Sequence, residues 1–153
     1  MRGLVLSLAC VVVSGCAPDV TGFAWDLDLE VIEDSCALGS AGHSEQLQFV
    51  VNYTGNRVDL AIGADTFASG TLSGCFLSYQ SVAWETEYDN AILRWQIEGE
   101  AEHSSQPGSC GLEDGLDWVG TETFTIVSSE HPQVPTGCKI EQTVKGVYAG
   151  RLE

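Results

Sequence analysis

Residues 82–97, VAWETEYDNAILRWQI, contain two runs of alternating apolar and polar side chains on either side of Asp89-Asn90. Both central residues tolerate the left-handed backbone region, so they favour a two-residue turn between antiparallel strands. The pairs that this turn implies are Val82–Ile97, Trp84–Trp95, Glu85–Arg94, Thr86–Leu93 and Tyr88–Ala91. One register therefore predicts an aromatic pair on the inner side and an ion pair on the outer side of a hairpin.

The same alternation continues outward from this hairpin. In residues 47–62, LQFVVNYTGNRVDLAI, a turn at Gly55-Asn56 would bring apolar or aromatic side chains opposite one another at every inner position. In residues 23–31, FAWDLDLEV, five apolar side chains alternate with acidic ones, which is typical of a strand with one face in water. Further strands are predicted at 68–74, which would pass through a glycine kink into 75–79, and at 119–129 and 138–152.

These segments predict an all-β domain of about eight antiparallel strands. A meander β-barrel of the calycin-like kind is expected because both hairpins join sequence neighbours, and a β-sandwich is the alternative. The early stretch GFAW, Gly22–Trp25, together with this strand pattern resembles the lipocalins, which carry Gly-x-Trp on their first strand. Here two residues separate the glycine from the tryptophan, so the resemblance concerns architecture and implies no role for any residue.

The first residues have the pattern of an export signal. Arg2 supplies one positive charge, and residues 4–13 form an apolar run broken only by Ser7. Ten residues rise about 15 Å as a helix, half of a ~30 Å hydrocarbon core. A charged start, a short apolar run and small residues after it indicate a secretory signal.

The residues VSGC, Val13–Cys16, resemble the bacterial lipobox. The resemblance implies cleavage after residue 15, a diacylglycerol thioether on Cys16 and acylation of the new amino group. Ala17, the residue after the cysteine, favours the outer membrane in lipoproteins of this kind. The chain is thus divided into a lipoprotein signal peptide at 1–15, a lipidated tether at 16–22 and a single β domain at 23–153.

Composition limits the partners of the exported part. Residues 16–153 keep five Lys/Arg against 22 Asp/Glu, a net charge of −17, which repels nucleic acid. Besides Cys16, which the lipobox assigns to lipidation, four cysteines remain there, and an even number in an exported chain predicts two disulfides. Three pairings are possible, and loop-closure entropy with chain order favours Cys36–Cys75 and Cys110–Cys138.

The candidate ligand site is a cavity inside the β domain. Its expected lining residues are Trp25, Trp84, Trp95, Glu122 and Tyr148. Glu122 faces either the apolar inner side of its strand or water, depending on which alternate set of side chains points inward. A third possibility is a position at the barrel mouth. The histidines His43, His103 and His131 fall in predicted loops rich in Gly, Ser or Pro.

The sequence contains no Gly-x-Ser-x-Gly and no His-Glu-x-x-His, so we expect no catalytic residue, no metal site and no cofactor. The leading hypothesis is a non-enzymatic, lipid-anchored domain with a binding or envelope-surface role and an unidentified envelope partner. A lipocalin-like carrier of a small apolar ligand is the first alternative. A hydrolase using scattered carboxylates is the second.

Overall fold

A computed structural model describes residues 21–106, 108–112 and 115–153. The predicted signal peptide and Cys16 lie outside these residues. The described part contains no α-helix and nine strands. The strands are β1 (Gly22–Asp34), β2 (Ser44–Thr54), β3 (Arg57–Ile62), β4 (Asp65–Ser73), β5 (Phe76–Ser81), β6 (Trp84–Tyr88), β7 (Ala91–His103), β8 (Trp118–Ser129) and β9 (Lys139–Leu152).

Eight of these strands close into an antiparallel barrel. The order is β1-β2-β3-β4-β5-β7-β8-β9, and β9 pairs with β1 to complete the ring. β5 and β6 lie on the same side of β7, where β6 pairs with its first half and β5 with its second half. Every connection therefore joins neighbours in the ring, which confirms the predicted meander barrel and excludes the sandwich.

Both predicted hairpin registers are confirmed. Asp89 and Asn90 have φ of 49° and 61°, as a turn with two left-handed residues requires, and Trp84 pairs with Trp95. The β2–β3 pairs also agree with the prediction, from Val50–Ala61 to Thr54–Arg57. Two details of the first-described hairpin are wrong: Val82 precedes the strand and is 80% exposed, and no Glu85–Arg94 ion pair forms, although the two residues are register partners.

The segment predicted as one strand with a glycine kink is in fact a hairpin. Ser73 pairs with Phe76, so the chain reverses through the two residues between them. Gly74 adopts a φ of 62°, a left-handed conformation that glycine reaches at little cost because it has no Cβ. The kink prediction therefore missed one reversal of the chain.

The barrel has two ends, and a disulfide lies at each. The N-terminal end carries Gly22, the β2–β3 and β4–β5 turns and the β7–β8 loop. The hairpin end carries the β6–β7 turn and the β1–β2, β3–β4 and β8–β9 loops. In a meander each connection lies at the opposite end from the connection before it. The end at which a loop lies therefore follows from its place in the strand order.

This alternation explains the disulfides. Cys36 is bonded to Cys138 at the hairpin end and Cys75 to Cys110 at the N-terminal end, with Cα–Cα distances of 5.1 and 5.9 Å. The predicted pairs Cys36–Cys75 and Cys110–Cys138 are therefore wrong, because each would join opposite ends of the barrel. Cα atoms more than about 7 Å apart cannot be bridged.

The barrel interior is filled by side chains that alternate inward along each strand. Trp25, Trp118 and Phe49 are among the largest side chains with almost no exposed surface. A second apolar group, which includes Leu93, Ile126 and the Cys36–Cys138 bridge, packs at the hairpin end. Buried polar side chains occur at two levels of the interior, one around Glu122 and one around His103 at the N-terminal end.

Candidate functional site

The first polar level is a row of residues that crosses four neighbouring strands. Tyr79 on β5 pairs with Gly99 on β7, Gly99 pairs with Glu122 on β8, and Glu122 pairs with Gln142 on β9. Register partners in adjacent strands point to the same face. The side chain of Glu122 therefore points into the barrel, and the alternative in which it faces water is excluded.

Glu122 is held by two side chains inside the barrel and is only 1% exposed. The hydroxyl of Tyr79 donates to Oε1 at 2.5 Å, and Nε2 of Gln142 donates to Oε2 at 2.7 Å. Gly99 makes the first bond possible, since a Cβ at this position would overlap the ring of Tyr79. The phenol thus crosses the glycine to reach the next strand.

Burial dominates the electrostatics of this row. It raises the pKa of the Glu122 carboxyl, although the hydrogen bonds from Tyr79 and Gln142 act in the opposite direction. Burial, with the nearby Glu122 charge, also raises the pKa of Tyr79. Among the described residues no Lys, Arg or His lies within 4.0 Å of Glu122. The row is a hydrogen-bonded carboxyl without a counter-charge.

The second polar level, at the N-terminal end, is centred on His103. This residue ends β7 and is fully buried, so its predicted place in a solvated loop is wrong. Its Nε2 lies 2.6 Å from the hydroxyl of Tyr53, and its ring centre lies 4.7 Å from that of Trp25 and 4.6 Å from that of Trp118. Burial lowers the pKa of His103 to about 4, so the imidazole is neutral at pH 7.

Three buried nitrogen atoms in this cluster lack a hydrogen-bond partner among the described residues. They are Nε1 of Trp25, Nε1 of Trp118 and Nδ1 of His103. A buried N–H group without a partner costs about 1–3 kcal/mol. Most native proteins contain only a few such groups, so three on neighbouring rings set this end of the barrel apart from the rest of the interior.

The five predicted cavity residues are spread through the barrel. Trp25 and Tyr148 contact each other at the N-terminal end, with ring centres 5.2 Å apart. Trp84 packs edge-on against Phe124, and Trp95 donates to the hydroxyl of Thr86 at 2.8 Å. Glu122 belongs to the row described above. The five therefore serve as packing and hydrogen-bonding groups at separate levels.

Two concave regions occur on the outside of the barrel. One, of about 420 Å³, is an outer groove across β1, β2 and β9 that includes Asp28, Glu30 and Lys145. The other, of about 400 Å³, is the mouth at the N-terminal end, which includes Phe23 and Tyr53. The sequence pattern indicated neither region, because each is built from strands that are distant in the chain.

The described residues place no group of three His, Cys, Asp or Glu side chains where a metal ion could be held. They include no helix that is long and apolar enough to cross a membrane. No family model, curated protein or solved structure matches the chain.

Proposed function

We propose that this chain is an exported bacterial lipoprotein that is anchored through Cys16 and acts by binding at the cell envelope, on the outer membrane. The observation that carries the proposal is the pair of disulfides, one at each end of the barrel. Disulfides persist in oxidising compartments and are rare in the cytosol. Together with the VSGC motif, they favour export followed by lipidation.

The packed interior favours surface binding over carriage of a ligand inside the barrel. Trp25 and Trp118 are fully buried and Phe49 is 2% exposed, so they occupy the space that a carried molecule would need. Small eight-stranded barrels are commonly filled in this way. A lipocalin-like carrier would require these rings to move apart.

The placement of the perturbed acid–base groups favours a role without catalysis. Glu122 and His103 are the carboxyl and imidazole groups with the strongest burial, and both face the packed interior. A general acid or base must come within hydrogen-bond reach of its substrate. These two groups therefore support the barrel, and a carboxylate-dependent hydrolase is the weaker alternative.

The anchor can be tested in cells with two matched cysteine variants of the full chain. We expect an alkyne fatty acid to label the wild type and Cys10→Ala, but not Cys16→Ala, because only Cys16 completes the lipobox. The protein should fractionate with membranes only when it is labelled. Equal labelling of Cys16→Ala, or loss of label in Cys10→Ala, would contradict the assignment.

A further inference from the structure

The mouth at the N-terminal end combines apolar walls with a few polar groups. Its volume is about 400 Å³, within the range of small-molecule sites. The ring centres of Phe23 and Tyr53 lie 5.5 Å apart in an edge-on arrangement, and Asn52 supplies an amide beside them. The remaining lining residues are Thr21, Gly22, Arg151, Leu152 and Glu153.

Arg151 gives this mouth a positive charge on a strongly acidic protein. It is one of five Lys/Arg side chains in residues 16–153. Its guanidinium carbon lies 5.7 Å from the centre of the Phe23 ring, and no described carboxylate, that of Glu153 included, lies within 4.0 Å of it. An arginine held over a ring and without an acidic partner is suited to bind a carboxylate.

Tyr53 connects the mouth to the unpaired nitrogen atoms behind it. Its ring lies 6.4 Å from that of Trp25, centre to centre, and its hydroxyl contacts His103. Trp25 and His103 are fully buried, and each carries a nitrogen that lacks a partner among the described residues. The two unpaired nitrogens therefore belong to rings that lie directly behind Tyr53, which lines the mouth.

We propose that the mouth binds a small organic carboxylate with a flat apolar body. Arg151 pairs with the carboxylate, while Phe23 and Tyr53 contact the body and Asn52 adds a hydrogen bond at the rim. The site lies at the edge of the barrel and not in its packed interior, and Thr21 and Gly22 of the predicted tether belong to its lining.

The test uses 3-phenylpropionate and its neutral amide, 3-phenylpropionamide, titrated into the full chain in detergent. Binding is followed by the indole N–H signals in NMR spectra and by calorimetry. We expect the acid to bind about five- to ten-fold more tightly than the amide, as one charge-assisted pair allows. The Arg151→Gln variant should lose this preference, and Arg151→Lys should keep part of it.

The control is Arg94→Gln, which removes an exposed cation near the hairpin end and should leave the preference unchanged. Absence of acid binding to the wild type at about 10 mM, well above a weak Kd of ~1 mM, would overturn the proposal. Equal affinity for acid and amide would do the same. So would an equal loss in Arg94→Gln, since the preference would then depend on the net charge of the protein and not on contact with Arg151.

Discussion

The buried carboxyl of Glu122 predicts a specific pH dependence of stability. Its pKa is raised in the folded protein, whereas in the unfolded chain it ionises near pH 4.3. Below that pH the group is protonated in both states and has no effect. As pH rises toward the folded pKa, ionisation stabilises only the unfolded chain, so stability falls by about 1.4 kcal/mol per pH unit.

The Glu122→Gln variant should remove this loss. Its amide oxygen can accept from Tyr79, and its amide nitrogen can donate to Gln142 once that side chain turns over. Urea unfolding of the disulfide-intact protein between pH 4 and 8 should show the variant gaining on the wild type as pH rises, until the difference levels off at the folded pKa.

The matched control is Glu100→Gln, on the exposed face of β7. Its difference from the wild type should change little with pH, because an exposed carboxylate is solvated in both states. A pH-independent difference between Glu122→Gln and the wild type would refute the reasoning. Such a result would mean that the two hydrogen bonds fully offset burial of the charge.

Three further outcomes follow from the same packing. The His103 ring should titrate near pH 4 by ¹⁵N NMR, and stability should fall by about 1.4 kcal/mol per unit as pH drops from 6.5 toward 4; a midpoint near 6.5 would contradict its burial. Gly99→Ala should cost about 1–3 kcal/mol in urea unfolding because the new methyl group meets a phenol ring. Gly111→Ala, where a Cβ would have no described atom within 4 Å, should be nearly neutral. Trp95→Ala should lower stability by about 3 kcal/mol and Arg94→Ala by less than about 1 kcal/mol. Equal effects would refute the assignment of Trp95 to the inner side and Arg94 to the outer side of the hairpin.

The hairpins could be predicted because each carries its own evidence. The alternation around Asp89-Asn90 and around Gly55-Asn56 indicates which side chains share a face and where the turn lies. A one-residue slip of the register would move every side chain to the other face of the sheet. No longer-range information is needed for such local pairs. The closed meander then follows from neighbouring strands that pair in sequence.

The disulfide pairs follow from the end of the barrel at which each cysteine lies. Alternation of the predicted strands already separates Cys110 from Cys138, and Gly74 obscured only the position of Cys75. A glycine inside an alternating run is compatible with both a kink and a turn, and only the turn adds a reversal. With that reversal, Cys75 and Cys110 lie at one end, and Cys36 and Cys138 at the other. Loop-closure entropy changes slowly with loop length, so it could not replace the geometry.

The polar interior could be predicted only in part. Glu122 stood out because it interrupts an apolar set, but its alternate set of Val and Thr is equally compatible with an inner face. Its partners Tyr79 and Gln142 lie on other strands. Tyr79 reaches it across Gly99 of β7, and the registers of these strands could not be fixed from local sequence. The burial of His103 depends on β7 extending to residue 103, beyond the end that the hairpin alone defines.

Mass spectrometry of the N-terminal peptide tests the central claim most directly. For the full chain purified from membranes, we expect the peptide to begin at Cys16 and to carry a thioether-linked diacylglycerol and an amide-linked acyl chain. An unmodified Cys16, or a mature N-terminus at any other residue, would contradict the assignment of this protein as a lipid-anchored barrel.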